Sequence, residues 1–396
     1  MESSVERESA GAQPARPQYL FEDDTHAQLR ASVRRFAERH IRPHASEWEE
    51  AGEFPRDLYV EAAKAEMIGI AYPAEDGGGG GSFGHALVAG EELVLAGHSV
   101  GTCVSLNSHG IALPPIFRLG TTEQRQRFCQ PVLRGEKIAA LAITEPSGGS
   151  DVARLRTTAR RDGDSYVVNG AKTFITSGHR GDIFTTAVRT GTEGYGGISL
   201  LVIERGTPGF TIGKKLKKMG WWASDTAELS FEDCRVPREN LLGEENQGFY
   251  AILANFASER LFLAGQCVTI AQLAYQESVR YARDRAVFGK SLMAHQVTRH
   301  KLADMASRIA AARAITAEAV IRTMRDEQVP GLCAMAKNTA TDMVAHVCDQ
   351  AVQLHGGNGY MREYLVERLY RDARLYAIGG GTREIMNEII SKTEGY

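Results

Sequence analysis

The hydrophobic periodicity of the chain changes twice, and these two changes constrain its fold more than any other feature. From about residue 22 to 138 apolar residues recur at helical intervals, as with Leu29, Val33, Phe36 and Ile41 in "THAQLRASVRRFAERHIRPHASEWEE". From about 139 to 240 short alternating runs take over, bounded by Gly, Pro and Asp: "SYVVNGAKTFITSG", "GISLLVIERG", "FTIGKKL" and "AELSFEDCRVP". Asn169-Gly170 in the first run is a hairpin signal. From about 244 onward long helices return, predicted from near Gln247 to Asp284, from His295 to Glu327, from Leu332 to His355, and from near Glu363. At 396 residues the chain is too long for one ordinary core. The expected fold is α+β and multidomain. A disordered tail (1–20) precedes an N-terminal helical domain (21–138), a middle β-barrel domain (139–240) and a C-terminal four-helix bundle (241–396).

Several function classes are disfavoured. A net charge of −3 gives no electrostatic reason to expect nucleic acid as a partner. Apolar stretches fall far short of a membrane span, so no membrane association is expected. The first residues lack a secretory apolar region, and Glu2, Glu6 and Glu8 argue against an acid-poor transit peptide. A bacterial cytoplasmic location is the resulting expectation. Six cysteines form no C-x-x-C pair and the eleven histidines no ligand pattern, so no metal is expected. The run of five glycines between Asp76 and Ser82 lacks the lysine and serine or threonine of a phosphate loop, and reads as a flexible surface turn.

One carboxylate looks out of place. In "ANFASERLFLAG" (254–265), Glu259 shares a helical face with Ile252, Phe256, Leu263 and Ile270. An ionised carboxylate on an apolar face is costly unless it is paired or used. Two accounts fit this pattern. Glu259 forms an ion pair with an arginine on a neighbouring helix, or it is a general base whose pKa is raised by apolar walls. Arg260, the next residue, points elsewhere on an ideal helix.

Six ordered segments bear on the choice. They are "AITEPSGGSDVARLRTTA", "NGAKTFITSG", "MGWWASDTAELSFEDCRVP", "RDRAVFGKSLMAHQ", "QLHGGNGYMREYLVERLYRD" and "GGGTREIM". Together they resemble the acyl-CoA dehydrogenase family, over nearly the whole chain after residue 20. The resemblance implies a helical, β-barrel and helical-bundle order, usually in a homotetramer with one FAD per subunit. It also implies oxidation of an acyl-CoA to the trans-2-enoyl-CoA, with electrons passed to an electron-transferring flavoprotein. In most of the family the base is a Glu in a Y-E-G-T loop before the last helix. Here that position is Gly380, which has no side chain. Isovaleryl- and long-chain-type relatives carry the base in an E-R-L context on the first long C-terminal helix, and Glu259-Arg260-Leu261 matches it.

The resemblance assigns further roles. Glu259 is the base, and the Gly380 N–H donates to the thioester carbonyl. Phe256, Arg260, Ser150 and Gly380 border the substrate. Ala142, Ile143, Thr144, Gly149, Ser150, Phe174 and Thr176 line the flavin. Arg285, Phe288, Gln296, Gln353, Gly356 and Gly357 reach the adenine and pyrophosphate half from a neighbouring subunit, and Thr382 and Glu384 touch the adenosine. Arg154 departs from the pattern, where a small residue is expected; it either lies on the surface or reshapes the CoA channel mouth. Trp221-Trp222 either pack under the β domain or border the flavin. Two other readings stay open: an oxygen-using relative such as an acyl-CoA oxidase or a nitroalkane-oxidase-like enzyme, and a non-catalytic flavin-bearing scaffold.

Overall fold

Asp23 starts the first helix, Asp24–His40, by accepting the backbone N–H groups of Thr25 and His26. A computed structural model describes this and the rest of residues 18–396. The helix packs along Phe83–Gly97, which Ser82 caps in the same way. The expected tail reached residue 20, but its described end is docked. Tyr19 is 3% exposed, stacks on Phe21 and donates its hydroxyl to Glu91, which Arg30 also engages. A large aromatic ring with a polar tip gains by burial once the tip is paired. Residues 1–17 of that predicted tail lie outside the described residues. The glycine run is also better held than a flexible turn: Gly79, Gly80 and Gly81 donate to the carbonyls of Gly69, Tyr72 and Ile70.

The middle region is one curled seven-stranded sheet. Its strands are β1 (Ala139–Ala142), β2 (Thr158–Asp162), β3 (Ser165–Thr176), β4 (Ile183–Arg189), β5 (Ile198–Glu204), β6 (Phe210–Lys215) and β7 (Thr226–Pro237). Their order is β1-β4-β2-β3-β7-β6, with β5 also on β4. Tyr166, Phe184 and Phe231 fill its core. The predicted turn at Asn169-Gly170 does not occur. β3 runs straight through it, and the chain reverses earlier, between Asp162 and Ser165. Gly170 sits at φ +146° beside a register shift against β7, and a Cβ there would lie 2.6 Å from Thr157 Oγ1. The same backbone freedom that makes Asn-Gly a turn signal here serves a β-bulge.

Four helical stretches form the C-terminal bundle, as expected, but the fourth is interrupted. The first three are Gly248–Asp284, Gln296–Met324 and Pro330–His355. The fourth divides into Leu365–Ala373 and Arg383–Glu394, with Gly379, Gly380 and Gly381 between them. At 37 residues the first helix is about 55 Å long, so one face can serve both a site and the core.

A buried junction joins all three regions. Trp221 donates its backbone N–H to Asp372 Oδ1 at 2.6 Å and its indole N–H to the Asp372 carbonyl at 3.1 Å. Trp222 and Ala223 donate backbone N–H groups to Glu49, in the helix Ala45–Ala51. The guanidinium groups of Arg362 and Arg371 lie 4.5 Å and 3.8 Å from the centre of the Trp222 ring. The two tryptophans thus tie the sheet to both helical regions. Burial and the neighbouring Glu49 push the Asp372 carboxyl up to about 7.

Candidate active site

The misplaced carboxylate meets the glycine loop. Glu259 as a whole is half-buried, yet its Oε2 is buried and accepts no hydrogen bond among the described residues. A Cβ placed on Gly380 would lie 3.5 Å from Glu259 Oε1, 3.7 Å from Lys337 Nζ and 2.6 Å from Leu263 Cδ1. Gly380 also has φ +66°, where other residues are strained. The space that a side chain would fill is therefore the space beside the Glu259 carboxylate. Burial raises the Glu259 pKa, while Lys337 and then Arg260 pull it down. Such a group is protonated more readily than a surface glutamate and is a stronger base once ionised.

Two cations hold the loop. Arg260 does not point away, as ideal helix geometry suggests. It is 8% exposed, donates Nε to the Gly380 carbonyl at 3.3 Å, and sits over the Phe256 ring. Lys337, on the third bundle helix, is 1% exposed and donates Nζ to the carbonyls of both Gly379 and Gly381. Burial and the Arg260 charge lower its pKa to about 8. The cation facing Glu259 from a neighbouring helix is thus a lysine, bonded to carbonyls, rather than the arginine of the ion-pair account. Sequence reasoning missed Lys337. Its one signal was a lysine among small residues in "AMAKNTA", on the predicted helix from Leu332 to His355.

A second strip gathers at the end of β1. Thr144 accepts the Thr173 N–H at 2.9 Å. Lys172 is fully buried and donates to the Ile143 carbonyl at 3.0 Å and to Glu145 at 2.9 Å. Glu145 in turn accepts the N–H groups of Arg156 and Thr157, closing the intervening loop. Gly149 folds back until a Cβ would sit 3.1 Å from Thr144 Cγ2. Ala142 is buried, and Thr176 pairs with Thr226 at the far end of β3. Phe174 is 69% exposed, at φ +59°. A strained, uncovered aromatic ring beside polar strand ends is what a flat heteroaromatic cofactor would cover.

The remaining predicted positions are exposed except Thr382, which is half-buried. Arg285 and Phe288 belong to a two-stranded ribbon ending the first bundle helix, where Phe288 is 96% exposed; Gln296 starts the next helix. Gln353, Gly356 and Gly357 end the third helix, near Tyr281, which stacks on His355 and accepts from Asn358. Thr382 caps the last helix through its hydroxyl, and Glu384 lies in that helix's first turn. Among the described residues no hydrogen bond or ion pair links the 285–296 and 353–357 groups to the strip around Thr144. Ser150 is exposed, and Arg154 is a surface residue paired with Asp151. Asp23, His26 and His85 bring three potential metal-ligand atoms within 4.8 Å; Asp23 Oδ1 and the Nδ1 atoms of His26 and His85 take part in the capping boxes of two helices.

Three family models match in order. They describe the acyl-CoA dehydrogenase N-terminal domain (residues 23–136), middle domain (140–234) and C-terminal domain (246–394). The chain belongs to the acyl-CoA dehydrogenase family. It is 39% identical to a mouse mitochondrial long-chain specific acyl-CoA dehydrogenase, over 93% of this chain and 86% of that one. A crystal structure of a putative acyl-CoA dehydrogenase from Mycobacterium smegmatis superposes with a TM-score of 0.93 at 49% identity, covering 94% of this chain and 98% of that one. A glutaryl-CoA dehydrogenase from the same organism, solved with FADH2, gives 0.88 at 25% identity, covering 94% and 95%. Acyl-CoA dehydrogenases are FAD-dependent oxidoreductases, and this one is an enzyme of that kind. No described helix is long and apolar enough to cross a membrane.

Proposed function

We propose that this acyl-CoA dehydrogenase removes the α-proton and β-hydrogen of an acyl-CoA thioester to give the trans-2-enoyl-CoA, with Glu259 as the base. The observation that carries this is the buried Glu259 Oε2, which accepts no hydrogen bond among the described residues, on a carboxylate beside the side-chain-free Gly380. The α-proton of a thioester is weakly acidic, so its removal needs a positioned base and donors at the carbonyl oxygen. The Gly380 N–H donates to no acceptor among the described residues, which leaves it free for that oxygen. Phe256 and Leu263 lie on the same helix face as the base and are half-buried there. Thr144, Gly149, Phe174 and Thr176 would hold the flavin, which supplies the hydride acceptor when bound. Arg285, Phe288, Gln296, Gln353, Gly356 and Gly357 would complete that site from a second subunit of a tetramer, consistent with their exposure in one chain. An electron-transferring flavoprotein is the proposed acceptor.

The test is Glu259→Gln. The variant is expected to keep its yellow flavin and bind acyl-CoA, yet lose anaerobic bleaching by substrate, on the order of 10²–10⁴-fold in rate. Bleaching at the native rate would remove Glu259 from the chemistry. Rapid reoxidation of the reduced, product-bound enzyme by oxygen would favour the oxidase reading instead.

A further inference from the structure

We propose that Lys337 is a positioning residue for the proton-abstraction step: it aims the Gly380 N–H at the substrate carbonyl and keeps the Glu259 carboxylate ionised. The proposal rests on the reading of Glu259 and Gly380 given above.

The first half follows from peptide geometry. Lys337 Nζ donates to the carbonyl of Gly379. That carbonyl and the Gly380 N–H belong to one planar trans peptide and point in opposite directions. Fixing the oxygen toward the third bundle helix therefore fixes the N–H away from it. The Gly381 carbonyl is taken by the same ammonium, and the Gly380 carbonyl by Arg260. Three consecutive carbonyls are thus held by two cations. Glycines have no side chains to set such a loop, so the anchoring comes from outside it.

Distance and charge give the second half. Glu259 Oε1 and Lys337 Nζ lie 3.5 Å and 3.7 Å from the same point, the Cβ position of Gly380. The charged groups facing Glu259 are Lys337, from the third bundle helix, and Arg260, on its own helix. Those facing Lys337 are Arg260, Glu259 and the buried Cys267 thiol, and Cys333 lies near Arg260. No second carboxylate intervenes in either set. A buried ammonium at this range opposes the burial that would otherwise protonate the base.

The experiment compares Lys337→Gln and Lys337→Met in the flavin-loaded enzyme, with Glu259→Gln as a control. The glutamine can still donate to a loop carbonyl but carries no charge; the methionine does neither. Two readouts are used: the acid limb of the kcat/KM profile, and the pH at which a bound 3-ketoacyl-CoA becomes its enolate, followed by absorbance. In both variants the acid limb is expected to move up by about one to two pH units. The enolate midpoint is expected to rise in both, more in Lys337→Met, and kcat to fall at least about tenfold with a smaller change in KM. A folded, yellow Lys337→Gln with native acid limb and native enolate midpoint would overturn the proposal. If Lys337→Met does not fold, Lys337→Gln alone decides. Failure of the base assignment reads differently: Glu259→Gln would stay active with Lys337 intact, while the enolate midpoint would still report the Gly380 donor.

Discussion

Gly380→Ala is a direct test of why the loop beside the carboxylate lacks a side chain. The new Cβ would stand 2.6 Å from Leu263 Cδ1, about 1 Å inside normal contact, on a backbone at φ +66°. The left-handed backbone costs an alanine about 1–2 kcal/mol. The collision adds about 1–2 kcal/mol, at the low end for overpacking because Leu263 is only half-buried and can withdraw. A total near 2–4 kcal/mol should lower the thermal midpoint by several degrees. Leu263→Ala removes the collision and leaves the backbone strain. In that background Gly380→Ala should cost about 1–2 kcal/mol less, a coupling that a double-mutant cycle in denaturant resolves. Equal costs in both backgrounds would refute the collision, and no cost in either would refute the whole account of the loop.

Three further outcomes follow from two buried ionisable sites and the β-bulge described above. Asp372 holds its proton to about pH 7 in the fold but loses it near 4 when unfolded, so its ionisation lowers stability as pH rises through that window. Asp372→Asn should therefore gain about 1–3 kcal/mol relative to the native chain between pH 4 and pH 8; a pH-independent difference in thermal midpoint would contradict this. Lys172→Met strands the buried Glu145 and should cost about 3–5 kcal/mol and speed flavin loss on gel filtration, with Lys172→Met/Glu145→Gln recovering part of both. Gly170→Ala should destabilise by more than about 2 kcal/mol because its Cβ would meet the Thr157 backbone at 2.7 Å, whereas near-native stability would mean the bulge can relax.

Much of the architecture was legible because it rests on period and spacing. The two changes of periodicity marked the sheet between helical regions, and Glu259 stood out as a carboxylate on an apolar stripe. What escaped were features decided by contacts between distant segments. Lys337 reads as an ordinary helix lysine until the glycine loop folds onto it. Arg260 leaves the stripe on an ideal helix, but its long side chain bends back to the Gly380 carbonyl. Asn169-Gly170 gave a false turn because a bulge needs the same backbone freedom. For the fourth bundle helix periodicity predicts only a start near Glu363, and the break falls at Gly379-Gly380-Gly381, the stretch that matches the family's loop before the last helix. Tyr19 falls within the predicted disordered tail, and only Glu91, far along the chain, gives its hydroxyl an acceptor.

The junction of Glu49, Trp221, Trp222 and Asp372 also bears on how the chain is assembled at the ribosome. Of the four, Glu49 emerges first, its indole-bearing partners about 170 residues later, and Asp372 about 150 residues after them. At about 5–20 residues per second, tens of seconds separate the first member from the final one. Through that interval the nascent polypeptide carries a carboxylate awaiting its donors and a sheet awaiting its clasp. Closure of this junction therefore waits for Asp372, and a polypeptide terminated before it would leave the Trp221 backbone and indole N–H groups without these acceptors.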